Sequence, residues 1–269
     1  MSNTNNTWSR LRGDEDFYNL GPVEKKKLIS QAVAETLGTA VFVGLGCSGV
    51  IANIPGTETS VNHLTIVLGF ATAIALVVTV FGHISGCHVN PAISLAAVIM
   101  EVISIPKFLL YSVCQCVGAC LGVAAVKVIS PAYCTATDFC VTQPNAEVGA
   151  GAATLAEGFL TAILIWVVCA AAWDRRNLDK HDSLPIKFGF AVIAIALPGA
   201  KYAGCSVNPA RSLAPALISG NWDYQWVYWI GPFGGSIIAS YIYKTLLSEV
   251  DPPMAVSTKE DPQDEEHPL

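Results

Sequence analysis

A seven-residue segment occurs twice, with one residue changed, in this chain of 269 residues, and no other feature narrows the possible folds as much. Gly86-Cys87-His88-Val89-Asn90-Pro91-Ala92 is answered by Gly204-Cys205-Ser206-Val207-Asn208-Pro209-Ala210, which places Asn208 118 residues after Asn90. Glu35, in Ala-Glu-Thr-Leu-Gly-Thr, is answered 122 residues later by Glu157, in Ala-Glu-Gly-Phe-Leu-Thr. Two copies of one unit therefore make up the chain.

The solvent around these copies follows from composition. Apolar residues make up 52% of the chain and charged residues 13%, whereas soluble domains carry about a quarter charged residues. The lipid bilayer is the solvent that fits. Six apolar stretches approach the roughly 20 residues needed to cross hydrocarbon: Leu28 to Val50, Leu64 to Phe81, Phe108 to Val128, Ala152 to Trp173, Phe188 to Ala200 and Gln225 to Leu247. The second and fifth are short, so their ends are the least defined. Two further pieces, Asn90 to Met100 and Asn208 to Ile218, are too short to span. Three crossings per copy is an odd number, so the second copy enters the membrane upside down relative to the first. Inverted repeats of this kind put the functional site at mid-membrane, on the pseudo-two-fold axis.

Each Asn-Pro-Ala suits a helix start, because Asn is a preferred N-cap and Pro is favoured at the first helical position. Irregular backbone at membrane depth is tolerated only inside protein or beside water, a condition met if two half-helices meet head to head at the centre. Their N-termini carry about half a positive charge each, and each Asn can cap its helix through oxygen while its amide serves as a donor. The expected fold is an all-α membrane protein with six transmembrane helices and two re-entrant half-helices. Residues 1–27 form an N-terminal segment, 28–247 the membrane unit (repeats at about 28–128 and 152–247), and 248–269 an acidic, proline-bearing tail that cannot build a core. The first 27 residues are polar and lack a small-residue cleavage site, so the first span is expected to be the targeting element.

Lys and Arg set the orientation. Twelve of the fifteen fall before the first span, between the second and third, between the fourth and fifth, or at and beyond the sixth. Both termini are accordingly expected in the cytoplasm, and the Asn5-Asn6-Thr7 sequon with them. A net charge of -6 offers no basic surface for nucleic acid. The glycine-rich stretch before the fourth span has neither dinucleotide nor phosphate-loop spacing, and no nucleophile-base pair or metal-ligand spacing is present. No enzyme, metal or cofactor is expected.

The paired NPA boxes, with GHISGCHVNPA and GCSVNPARS around them, Gln115 to Gly118, and Gly231-Pro232, resemble the major intrinsic protein family, the aquaporins. The resemblance runs from about Leu28 to Leu247. It implies a passive channel, one pore per subunit in a homotetramer surrounded by membrane lipids, with the plasma membrane as its expected location. Asn90, Pro91, Ala92, Asn208, Pro209 and Ala210 match the pore motifs, and Arg211 matches the arginine of the outer constriction. Exclusion of ions and protons by such an arginine and by paired half-helix ends is the general account of aquaporin-type pores.

By spacing from the boxes, the four constriction positions fall on Phe70, Ala196, Cys205 and Arg211. Water-selective relatives usually place His where this chain has Ala196. A methyl group in place of imidazole widens the gap and implies passage of glycerol and urea as well as water. Against this, Asn208-Pro-Ala-Arg211-Ser212 and Tyr228-Trp229 follow the water-channel pattern. The combination is similar to the insect entomoglyceroporins, and the alternative is a strictly water-selective pore in which a neighbouring side chain fills the space beside Ala196.

Intramembrane acids are functional candidates by default, but the resemblance assigns Glu35 and Glu157 to support of the re-entrant loops, ahead of a proton relay. His83 and His88, read as part of the first loop, are given the same supporting role. Among nine cysteines, those within spans are read as small apolar residues. Cys205 lines the filter and is the expected target of mercurials. Cys134 and Cys140 lie in the expected outer loop, where oxidation is possible, without spacing that fixes a pairing. Ser257 and Thr258 are exposed candidates for phosphorylation. A secondary transporter and a membrane-junction protein remain as rivals, separable by saturable or gradient-driven flux and by junctions without permeability.

Overall fold

The computed structural model describes residues 20–51, 62–135 and 138–248; most of the N-terminal segment and the acidic tail, with the sequon, Ser257 and Thr258, lie outside the described residues. Eight α-helices and no strand are found among the described residues. In chain order they are α1 (Pro22–Ser48), α2 (His63–Ser85), α3 (Pro91–Ile99), α4 (Ile105–Ile129), α5 (Gly149–Val168), α6 (Leu184–Ala203), α7 (Pro209–Ser219) and α8 (Val227–Ile242).

Proline sits in the first turn of α1, α3, α4, α6 and α7, where its missing N–H costs nothing. Asn62 opens α2 through a reciprocal capping box with Thr65. Both α2 and α6 stop at a glycine in the left-handed region, Gly86 (φ 88°) and Gly204 (φ 81°), so the same terminator is used in each copy.

The two weakly bounded spans prove longer than their apolar cores. Helix α2 continues through Gly82 and His83 to Ser85, and α6 runs from Leu184 to Ala203, past Lys187 and Lys201. Five helical stretches are long and apolar enough to cross a bilayer, among them α5 with the π turn Cys169–Trp173 that extends it. The sixth span ends at Leu247, as expected: α8 has 16 residues, and the π turn Tyr243–Leu247 extends it. Trp226 and the residues before it form turns instead of helix.

Packing repeats as the sequence does. Helix α1 lies most closely on α4, and α5 on α8. Glycines permit each approach: a Cβ on Gly122 would run into the Ala40 carbonyl, and one on Gly235 into the Gly158 carbonyl. Half-helix α3 leans on α8 of the other copy, where the Ser236 hydroxyl donates to the Ala92 carbonyl (2.7 Å). Half-helix α7 leans on α4. The outward faces carry exposed Leu37, Leu45, Val113, Leu121, Phe159, Phe190 and Ile230, an apolar coat suited to lipid and not to water.

Candidate functional site

Each re-entrant loop is held by one fully buried carboxylate. Glu35 Oε1 accepts from the Ser85 hydroxyl (2.6 Å) and the His88 amide (2.9 Å), while Oε2 accepts from the Val89 amide (2.8 Å) and the Gln115 side chain (2.7 Å). In the second copy Glu157 accepts from the Ser206 and Val207 amides (2.8 and 2.7 Å). Backbone donors that no water could reach are thereby satisfied. Both loops need them in an unusual form, since Cys87, Val89, Cys205 and Val207 all have φ between 44° and 52°. Non-glycine residues, and β-branched valine above all, enter this region only when their surroundings over-determine it.

The strained turns deliver the two asparagines to one place. Asn90 Oδ1 caps α3 at the Ala92 amide, and Asn208 Oδ1 caps α7 at the Ala210 and Arg211 amides. Their amide nitrogens reach across the pseudo-two-fold: Asn90 Nδ2 donates to the Val207 carbonyl (2.8 Å) and Asn208 Nδ2 to the Val89 carbonyl (2.9 Å). An amide NH2 has two hydrogens, so each asparagine keeps a second donor. Both residues line a cavity of about 540 Å³.

This cavity runs from the centre toward the face that carries the chain ends, past His83, Phe188, His181 and Asp182. A second cavity, of about 370 Å³, opens on the opposite face and contains all four positions expected at the constriction, Phe70, Ala196, Cys205 and Arg211. Phe42, Val192, Ser206 and Val207 border both cavities. The two are therefore halves of one passage that meet beside the asparagines.

At the constriction the Arg211 guanidinium carbon lies 5.0 Å from the centre of the Phe70 ring, a cation–π contact. Its Nη1 donates to the Cys140 carbonyl (2.8 Å), and Nη2 approaches Cys140 Sγ (3.5 Å). Close by, the hydroxyls of Thr142, Ser206 and Ser212 form a chain, with Thr142 Oγ1 2.6 Å and Ser206 Oγ 2.5 Å from Ser212 Oγ. This ties the incoming loop to the root of α7.

This geometry supplies a pairing that the sequence left open and corrects one placement. Cys140 bonds to Cys47 at the end of α1, with a Cα–Cα distance of 5.5 Å. The loop folds inward over the pore mouth, which brings Cys140 to α1. His83 stands in the last turn of α2 on the cavity wall, not in the re-entrant loop, and makes no hydrogen bond to that loop among the described residues. Its neighbour in the sequence argument, His88, does sit in the loop: its ring Nδ1 is 3.1 Å from Ser94 Oγ, between Tyr111 and Trp173.

Several contributors escaped the sequence reading. The Tyr111 hydroxyl donates to the Ser85 carbonyl and Tyr228 to the Ala203 carbonyl, both at 3.0 Å, so each copy ties the last turn before its loop with a buried phenol. Gln115 bridges Glu35 and Ser94. His63 Nε2 lies 3.1 Å from the Leu197 carbonyl, over the same cavity as Ala196. The tyrosines sit 117 residues apart, close to the repeat offset, and that register was the available signal.

Asp174, between α5 and the turns leading to α6, anchors a charged corner. Arg176 binds it through both its side chain and its amide, Tyr243 donates at 2.7 Å, and this holds the carboxyl well below the usual carboxylate range.

Comparison with known proteins agrees with this architecture. Residues 22–243 match the major intrinsic protein family. The chain is 38% identical over 213 residues to aquaporin-4 of Mus musculus, covering 78% of this chain and 65% of that protein, so it spans about two-thirds of that relative's length. It is 39% identical over 219 residues to aquaporin-2 of Bos taurus, covering 81% and 79%. Among solved structures, the aquaglyceroporin of Plasmodium falciparum superposes with a TM-score of 0.73 over 81% of this chain and 96% of that one, at 24% identity, a likeness of fold. With the family match extending over both repeats and both asparagine boxes, the chain belongs to the major intrinsic protein family.

Proposed function

We propose that this protein is a passive pore for water and small uncharged solutes, glycerol and urea among them, that excludes ions and protons. The observation that carries the solute range is the lining of the outer cavity. Ala196 contributes only a methyl group to the cavity that Arg211 lines, Phe70 supplies an apolar wall, and the guanidinium supplies donors for hydroxyl or carbonyl oxygen. A polyol can present carbon to one side and oxygen to the other.

Exclusion rests on charge and dehydration. Arg211 opposes cations, and an ion stripped of water has only a few donors and carbonyls to replace its shell. At the centre the second amide hydrogens of Asn90 and Asn208, with two helix N-termini behind them, orient each water's oxygen inward. That orientation interrupts a proton wire. No gradient-coupled step is built in, because Glu35 and Glu157 are occupied by loop donors, which weighs against a secondary transporter.

A strictly water-selective pore is the second reading, and His63 favours it. Its imidazole reaches the carbonyl next to Ala196 and restores a polar group near the position where water-selective relatives carry histidine. Resemblance to the insect entomoglyceroporins rests on the filter residues alone. The positive-inside distribution supports cytoplasmic termini in a plasma-membrane protein, and the apolar outer faces suit a homotetramer in lipid. Stopped-flow shrinkage of proteoliposomes, with water, glycerol and urea measured separately and ion conductance recorded on the same preparation, tests the proposal. Flux of all three without current is the expected result; flux of water alone selects the second reading.

A further inference from the structure

We propose that the Cys47–Cys140 disulfide is a positioning element of the constriction, fixing the carbonyl that holds Arg211 and so setting which solutes pass. The inference rests on the pore reading above. Its starting point is that Arg211 has few fixed partners among the described residues for a buried guanidinium: its side chain donates to the Cys140 carbonyl and meets the same residue's sulfur, with the Phe70 ring on one face. The residue that holds the arginine is thus one half of the disulfide.

Cys140 is not held there by its own conformation. Its φ of 61° is in the left-handed region, which a non-glycine residue occupies at a cost unless its surroundings insist. The loop around it is pinned on both sides. Asn221 Nδ2 donates to Asp138 Oδ1 (2.8 Å), Thr142 meets Ser212, and Asn145 bonds the Lys201 and Tyr202 carbonyls. Within the loop the Val141 amide donates to the Asp138 carbonyl (3.0 Å), a turn that brackets Cys140. The bond to Cys47, at the end of a long membrane helix, is what fastens that turn to the wall of the passage beside Arg211.

Opening the bond has a defined chemistry. A dithiol reductant gives up two electrons and two protons, its own S–S bond forms, the Cys47–Cys140 S–S bond breaks, and two thiols remain. The turn that carries Cys140 is then no longer fastened to α1, and it moves the Cys140 carbonyl off Arg211. The guanidinium still needs acceptors, because an unpaired buried charge is costly. It moves within the outer cavity that it shares with Ala196 in search of another acceptor, and there obstructs a polyol more than water.

Proteoliposomes holding the full chain provide the test, with and without dithiol, beside Cys47→Ser. Alkylation after denaturation verifies the redox state, seven tags per chain oxidised and nine reduced. Reduction is expected to lower the glycerol-to-water permeability ratio of the wild type by about twofold or more, within reach of one lost charge-assisted hydrogen bond. Cys47→Ser should show the lowered ratio already and ignore the reagent. The ratio is independent of how many channels are folded, so a general staple would shift the melting temperature and leave it unchanged. That result, a raised ratio, or an equal response in Cys47→Ser overturns the proposal. If the wild type carries water but no glycerol, the solute-range reading fails separately, and this inference is judged on water permeability per channel, which should fall on reduction in the wild type only.

Discussion

Asn90 and Asn208, 118 residues apart in sequence, are cross-tied: each side-chain amide donates to the carbonyl just before the other asparagine, at 2.8 and 2.9 Å. The half-helices are therefore locked to each other as well as capped, and the donors facing the passage cannot rotate independently. Preorganised donors act without reorganising at the moment of passage.

Replacing Asn208 by Asp keeps the cap acceptor but removes the donor to Val89 and adds negative charge. A buried carbonyl losing its partner costs about 1–3 kcal/mol. Water permeability per channel is expected to fall and a cation leak to emerge, both measured in the same oocytes by swelling and voltage clamp.

The loop carboxylates are predicted to be structural. Glu157→Gln turns one acceptor into a donor facing a backbone N–H. Destabilisation of about 1–3 kcal/mol is expected for each donor left unpaired, seen as a lower melting temperature in detergent. Glu35→Gln should be worse, since Glu35 accepts four hydrogen bonds where two are recorded for Glu157. A variant that melts like the wild type but loses solute flux would instead restore a permeation role to these acids.

Mercurials should block through Cys205, whose thiol borders the outer cavity beside Arg211, while Cys140 in the same cavity is already oxidised. Cys87 borders the other cavity. In Cys205→Ser the block should be lost; full block persisting in that variant contradicts the assignment.

Asp174 gives a pH prediction with a definite sign. Its folded-state pKa lies below its unfolded value because Arg176 and Tyr243 bind the charged form, so its contribution is present above the ordinary carboxylate range and is lost as pH falls through the lowered value. Thermal stability from this group should be flat from pH 8 to 5, by about the usual carboxylate pKa. Asp174→Asn should lower the melting temperature across that window and flatten any decline at more acid pH.

Much of this architecture is legible in the residues because hydrocarbon imposes a simple rule on length and because the repeat duplicates every landmark. The helix starts at Pro91 and Pro209 and the glycine stops at Gly86 and Gly204 follow from local chemistry. What local chemistry does not carry is contact between distant segments. Cys47 and Cys140 are 93 residues apart and read singly as a packing residue and a loop thiol. His83 was misplaced because the helix runs on through Gly82, a residue that suggests an end.

The central claim is that the small side chain at position 196 opens the constriction to solutes larger than water. Water, glycerol and urea permeabilities of wild type and Ala196→His, measured side by side in proteoliposomes at matched protein content, test it most directly. The wild type should pass all three, and the histidine should abolish glycerol and urea flux while sparing water. A wild type that passes water alone, or an Ala196→His variant that still passes glycerol, would contradict it.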